Sequence, residues 1–380
     1  MKSTMKIGIV CYPTYGGSGI VATELGMDLA EQGHQVHFFS TSLPARLDNR
    51  LPNIFFHRVN VENYPLFQYQ PYALALSTIL METVEKYGIE LVHVHYAIPH
   101  AYAAYFTKMM LKEKGVNLPI ITTLHGTDIT LVGKHPVYKS AVEFSINQSD
   151  IVTSVSESLR QDTLSIFNIT KDIKVVPNFI DNQQYLPEQN NCCRGNFTTN
   201  NNERIILHVS NLRKVKRIQD VISTFYHIQK EIPAKLIICG EGPEWEKAEQ
   251  LIDKYGIQDK VKSLGMVNDL YSVLHASDLF LLPSEQESFG LAALEAMAAS
   301  VPVISSNAGG LPEVNIDGIT GYVCPIGDTE MMAEKAISIL KNDEILSTFK
   351  KQAKQQAIAF DKKNILPQYE ILYRQAIESK

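Results

Sequence analysis

Two carboxylates, Glu287 and Glu295, stand eight residues apart in the stretch Leu279–Glu295, LFLLPSEQESFGLAALE. The apolar run Leu279–Leu282 stops at Pro283, passes through a polar loop and resumes as a helical pattern over Phe289–Ala299, so the loop lies at a strand's carboxyl end, where open α/β sheets bind ligands. At the rise of a helix the two carboxylates lie about 12 Å apart along the segment. That spacing suits a ligand with hydroxylated groups at both ends and an anion between them, such as a nucleotide-sugar. Glu287 accepts from sugar hydroxyls and Glu295 from a ribose, while the backbone N–H groups after Ser288, those of Phe289, Gly290 and Leu291, face a diphosphate at the helix start. On its own the segment is equally a capped amphipathic helix with two surface glutamates.

Three further clusters carry chemistry. Gly16-Gly17-Ser18-Gly19, between a strand and a helix, lets the backbone approach an anion closely, although it lacks the G-x-G-x-x-G dinucleotide pattern. Gly17 and Ser18 are the donors it offers, although the loop also reads as a tight strand–helix turn with no ligand. His125-Gly126-Thr127-Asp128 follows a strand and places an imidazole at the sheet's carboxyl edge. His93 and His95 end a neighbouring strand, with Tyr96 after them; His93 and His100 read more readily as histidines satisfied by local backbone, a reading open for His125 as well. Ser210–Arg217 holds four cations in five positions, and Arg213 and Lys216 are the choices for neutralising a diphosphate. The same loop could be a solvated basic surface. The Gly-rich turns Gly240–Pro243 and Asn307–Glu313 read as structural.

These clusters need strand–loop–helix units, and the chain supplies them repeatedly. Lys6–Tyr12, Gln35–Ser40, Ile54–Val59, Leu91–His95, Pro119–Leu124, Ile151–Ser154 and Ile173–Val176 read as strands apolar on both faces, as parallel strands under helices must be. Gly19–Gln32, Tyr72–Tyr87, Ala101–Lys114, Lys139–Gln148 and Glu157–Ile166 are the helices between them. After an Asn-, Gln- and Thr-rich segment the alternation restarts at Arg204–Val209, places a helix over Leu291–Ala299 and runs to the helical pattern Asp343–Phe360. The expected organisation is α/β: an N-terminal Rossmann-like domain over 1–177, a linker or exposed segment over 178–202 and a C-terminal Rossmann-like domain over 203–360. A last helix within 361–380 is expected to pack back on the first domain.

Whole-chain properties narrow the function classes. The 380 residues are 45% hydrophobic and 20% charged with a formal net charge of −6, which gives no support to a sequence-wide nucleic-acid or anionic-membrane footprint and leaves a local basic patch open; neither a nucleic-acid partner nor stable membrane insertion is expected. No run is long enough to span a bilayer and no signal peptide is evident, so a cytoplasmic protein is expected. Cys11, Cys192, Cys193, Cys239 and Cys324 lack metal-ligand spacing and read as reduced thiols.

The run Pro283-Ser284, Glu287-Ser288-Phe289-Gly290-Leu291, Glu295-Ala296-Met297, Val301-Pro302-Val303, Gly309-Gly310, Pro312-Glu313 and Gly321 resembles the signature of retaining family 4 glycosyltransferases of the GT-B fold. The resemblance implies two Rossmann-like doubly wound domains facing a central cleft, with Glu287 and Glu295 as the paired carboxylates of an E-x7-E arrangement. More narrowly, Cys11–Gly19, His93–His100 and Thr123–Thr130 resemble the members that transfer N-acetylglucosamine from UDP-GlcNAc to the hydroxyl of L-malate in bacillithiol biosynthesis. This implies a donor site of Gly17, Asn211, Arg213, Lys216, Glu287, Ser288, Phe289, Gly290, Leu291 and Glu295. The implied acceptor site is Gly17, Ser18, Tyr96, His125 and Thr127, with His125 and Glu287 catalytic. Asn211 replaces the usual Arg, whose role passes to Arg213, and Ser300 replaces the usual Gly before Val-Pro. No Asp-x-Asp occurs, so neither an essential metal nor another cofactor is expected. Homo-oligomerisation stays open, as do a UDP-sugar epimerase or phosphorylase, a lipid-directed transferase and a nucleotide-binding protein without catalysis.

Overall fold

The computed structural model describes residues 4–14, 16–61, 70–186, 193–198, 200, 202–267 and 269–379. Tyr15, in the first glycine loop, and Cys192 lie outside them. The chain forms two compact units, one of residues 1–178 with 363–380 and one of residues 179–362.

The first unit runs β1 (Lys6–Val10), α1 (Gly17–Glu31), β2 (Gln35–Ser40), β3 (Ile54–Arg58), α2 (Tyr72–Tyr87), β4 (Leu91–His95), α3 (Tyr102–Glu113), β5 (Ile120–Leu124), α4 (Pro136–Gln148), β6 (Ile151–Ser154), α5 (Glu157–Ile166) and β7 (Ile173–Val175). The strands form one parallel sheet in the order β3-β2-β1-β4-β5-β6-β7. Strands β4 and β5 are buried at every position, which is why their sequences are continuously apolar or uncharged and do not alternate. Two boundaries differ from the sequence reading for local reasons. Helix α1 starts at Gly17, so Gly17 and Ser18 belong to its first turn. Helix α4 starts at Pro136, where the missing proline N–H costs nothing and His135 accepts from Val137 N–H.

The second unit continues with β8 (Arg204–Val209), α6 (Ile218–Glu231), β9 (Ala234–Cys239), α7 (Trp245–Tyr255), β10 (Val261–Gly265), α8 (Leu270–Ala276), β11 (Leu279–Leu282), α9 (Leu291–Ala298), β12 (Val303–Ser306), α10 (Leu311–Val314), β13 (Gly321–Cys324), α11 (Thr329–Leu340) and α12 (Asp343–Ala359). Its parallel sheet has the order β10-β9-β8-β11-β12-β13. Helix α6 shows how the core forms: Ile218, Val221, Ile222, Phe225 and Ile228 recur at helical spacing and are all buried in one cluster with Leu236 and Ile238 of β9.

The Asn-rich stretch read as a linker is structured in part. Phe179 and Ile180 are buried, and Asn182–Tyr185 form a single 3-10 turn whose Tyr185 is also buried. The Asn307–Glu313 turn leads into the short helix α10, with Pro312 in its first turn. Helix α13 (Lys362–Glu378) places Tyr369 and Tyr373 fully inside the first unit, where Tyr373 Oη lies 2.7 Å from His93 Nδ1. No described helix is long and apolar enough to cross a membrane. Cys11, Cys239 and Cys324 are buried free thiols.

Candidate active site

Strand order reverses between β8 and β11 in the second unit, the place where a doubly wound sheet opens a crevice at its carboxyl edge. The loops leaving these strands carry Ser210–Arg217 and Pro283–Gly290. They are tied together: Lys216 Nζ lies 2.5 Å from Glu287 Oε2, and Glu285 N–H donates to Val215 C=O at 2.8 Å. Both partners of the ion pair are mostly buried, with side chains 21% and 17% exposed, so it is less screened than a surface pair. Arg213 is exposed and has no ion-pair partner among the described residues, whereas Arg217 is engaged by Asp220 at 2.6 Å. Asn211 is exposed, and its carbonyl accepts from Arg213 N–H.

Two glycine turns hold this crevice in shape. Gly310 N–H donates to Glu287 C=O at 2.9 Å, and a Cβ at Gly309 would lie 2.0 Å from that same oxygen at a φ of +51°. Gly240, at φ +121°, approaches so closely that a Cβ would lie 1.9 Å from Ser210 C=O. Only glycine fits either position. The turns are supports of the Glu287 and Ser210 loops.

Helix α9 begins at Leu291, after Gly290 in the left-handed region at φ +98°. This corrects the expected geometry. Phe289 and Gly290 precede the helix, Leu291 is its first residue, and Glu295 stands one turn in, so the helical rise behind the 12 Å figure applies only from Leu291 onward. Phe289 buries its ring against Phe360, with centroids 5.5 Å apart, and Ser288 is half-buried. Glu295 is 8% exposed, and its Oε1 accepts from Tyr185 Oη at 3.1 Å. It is therefore not a surface glutamate, and Tyr185 is a partner that sequence reasoning missed inside the supposed linker.

In the first unit strand order reverses between β1 and β4. Helix α1 starts there with Gly17 exposed, no side-chain cap and no acidic residue in its first turn, which leaves the helix's amide end open to an anion. Gly19 lies so close to the preceding loop that a Cβ would meet Thr14 C=O at 2.5 Å. Across the crevice edge, Ser18 Oγ is 2.6 Å from Tyr96 Oη, and Thr127 is exposed. Burial pushes the Tyr96 phenol up to about 12, keeping it a neutral donor.

His125 follows β5 and packs 5.2 Å from the Tyr96 ring. Its Nε2 lies 2.8 Å from His95 Nδ1, and burial lowers its pKa to about 3, so it is neutral, with one ring nitrogen able to donate a hydrogen bond and the other to accept one. Asp128, which sequence reasoning quoted without a role, is the fastener. Its carboxyl accepts from the N–H groups of Ala97 at 2.9 Å, Gly126 at 3.0 Å and His125 at 3.2 Å, joining the loop after β4 to the loop after β5. Burial raises it to about 6 and the backbone donors partly oppose that rise. His93 and His100 are satisfied inside the protein, His93 by Tyr373 and Thr123 at 2.7 Å each, and His100 by His95 C=O at 2.5 Å and Tyr72 at 3.2 Å.

Residues 15–184 match the model of Glycosyltransferase Family 4, and residues 194–356 match that of Glycosyl transferases group 1. The chain is 45% identical to N-acetyl-alpha-D-glucosaminyl L-malate synthase of Bacillus anthracis, over 97% of this chain and 96% of that one. Among solved structures, sucrose-phosphate synthase of Thermosynechococcus elongatus superposes with a TM-score of 0.82 at 21% identity, covering 99% of this chain and 100% of that chain. Anabaena HepE in complex with UDP-glucose gives 0.82 at 19% identity over 99% and 100%. Both likenesses establish the GT-B architecture of two Rossmann-like domains.

Proposed function

The chain belongs to the family 4 glycosyltransferases, with a group 1 domain in its second half, and on that premise we propose that it transfers N-acetylglucosamine from UDP-GlcNAc to the hydroxyl of L-malate. The observation that carries the reading is the 45% identity, along 97% of the chain, to an enzyme named for that product. It would serve the first step of bacillithiol biosynthesis in the cytoplasm.

The donor belongs to the second unit. Glu295 accepts from the ribose; Arg213, Lys216 and the amide end of α9 hold the diphosphate, with Asn211 beside them; Glu287 orients the sugar hydroxyls. The close Lys216–Glu287 pair supports this division, because it sets a cation for phosphate directly beside a carboxylate for hydroxyls. The dianionic acceptor belongs to the first unit, where Gly17 and Ser18 at the start of α1 take a carboxylate and Tyr96 and Thr127 donate further hydrogen bonds.

The reaction retains anomeric configuration. Glu287 is committed to Lys216 and the sugar hydroxyls, so a double displacement through it is disfavoured. In same-face attack the anomeric carbon–phosphate oxygen bond breaks, the malate oxygen bonds that carbon, and the hydroxyl proton passes to the departing diphosphate. Neutral His125 orients the sugar by hydrogen bonding, and Arg213, Lys216 and the helix end stabilise the leaving group without a required metal. Release of UDP from UDP-GlcNAc, followed with and without L-malate, tests the acceptor: malate should accelerate it strongly. Release indifferent to malate would point to an epimerase or hydrolase instead.

A further inference from the structure

His95 is fully buried at the end of β4, and the roles above leave it unassigned. Its Nδ1 lies 2.8 Å from His125 Nε2, and the rings stack with centroids 5.0 Å apart. Its other nitrogen, Nε2, is buried with no hydrogen-bond partner among the described residues. Burial lowers the pKa of both imidazoles, so each is neutral and carries one N–H.

Only two proton placements make the 2.8 Å contact a hydrogen bond. If His125 donates from Nε2, the proton of His95 must sit on its own Nε2, leaving an N–H buried without an acceptor. If His95 donates from Nδ1, its Nε2 carries only a lone pair. Orphaned buried N–H groups are rarer than under-satisfied acceptors, which selects the second placement. His125 then accepts at Nε2 and must hold its proton on Nδ1, a nitrogen that makes no hydrogen bond to any described residue.

We propose that His95 is a positioning residue: by donating Nδ1–H to His125 Nε2 it fixes the tautomer in which His125 presents an Nδ1–H donor to the bound sugar. His125 is thereby prevented from serving as a general base through Nδ1. This rests on the placement of His125 in the glycosyl-transfer site, and it adds the residue that sets which atom His125 offers.

Two measurements decide it. In the free protein labelled with ¹⁵N-histidine, long-range ¹H–¹⁵N correlation should show His125 protonated on Nδ1; protonation on Nε2 would overturn the proposal. This spectrum needs no substrate, so it stands even if L-malate proves to be the wrong acceptor. In steady-state kinetics His95→Leu should lower kcat about 10- to 100-fold, by analogy with the partners that orient metal-bound imidazoles, with KM for UDP-GlcNAc little changed. His95→Asn, whose amide N–H can occupy the Nδ1 position, should restore most of kcat. A folded Leu variant with the wild-type kcat, or an Asn variant no better than Leu, would overturn the proposal. Should Leu fail to fold, the spectrum and the Asn variant still decide.

Discussion

At the scale of single residues the two carboxylates are held differently. Glu295 is nearly enclosed and bonded by Tyr185, which suits a fixed acceptor for a ribose, whereas Glu287 is paired with Lys216 at the mouth of the basic loop. Glu295→Ala should weaken UDP binding about 10- to 100-fold, the worth of hydrogen bonds to a charged group, measured by calorimetry. Tyr185→Phe should weaken it less, about 3- to 10-fold, because one neutral donor is lost. If UDP affinity survived Glu295→Ala while transfer failed, the ribose role would belong elsewhere. Gly309→Ala tests the support of Glu287. A methyl group directed at the Glu287 carbonyl, in a left-handed backbone, must displace that loop, and a displacement of about 1 Å costs on the order of a hundredfold in turnover. Unchanged turnover in Gly309→Ala would show that the loop accommodates the methyl group.

At the scale of elements, each crevice is made by loops leaving neighbouring strands, and single side chains lock those loops together. Asp128 does this in the first unit. Asp128→Asn would set an amide N–H against a backbone N–H, costing about 1–3 kcal/mol and lowering the thermal midpoint by several degrees. A variant with the wild-type midpoint would mean the three backbone bonds add nothing net. This scale also separates what was legible in the sequence from what was not. Strands β4, β5 and β11 were readable because burial on both faces leaves an uninterrupted run of uncharged residues, and the crevice loops because they punctuate those runs with Gly, Pro and charge. The start of α9 reads two ways in the sequence, from Phe289 by the apolar pattern and from Leu291 by the strand–helix alternation, and the left-handed conformation of Gly290 sets it at Leu291. Tyr185 and Asp128 were not legible as site supports: their partners lie far away in sequence or on the backbone, and neither kind of contact leaves a periodic trace.

At the scale of the whole molecule, buried histidines govern the acid limit. Burial lowers His93 and His125 to about 3 and His37, His100 and His208 to about 4, from an ordinary value of 6.5. Between those values the unfolded chain binds more protons than the folded one, so stability rises with pH across this window and is lost as pH falls below 6.5. Asp128, raised to about 6 from 3.8, acts in the opposite direction, but it is one group against five. The thermal midpoint should therefore fall steadily from pH 7 to pH 4.5; a flat profile would mean that these histidines are not neutral in the folded protein.

The same chain carries two crevices of different chemistry, a cationic one with two carboxylates in the second unit and an amide-lined one with neutral donors in the first. A UDP-sugar and a small dianion fit that division. The most direct test is to incubate the protein with UDP-GlcNAc and L-malate in the presence of EDTA and to identify the product by NMR. Stoichiometric UDP and an α-linked N-acetylglucosaminyl malate are the expected products. A β-linked product, or no glycosylated malate at all, would contradict it.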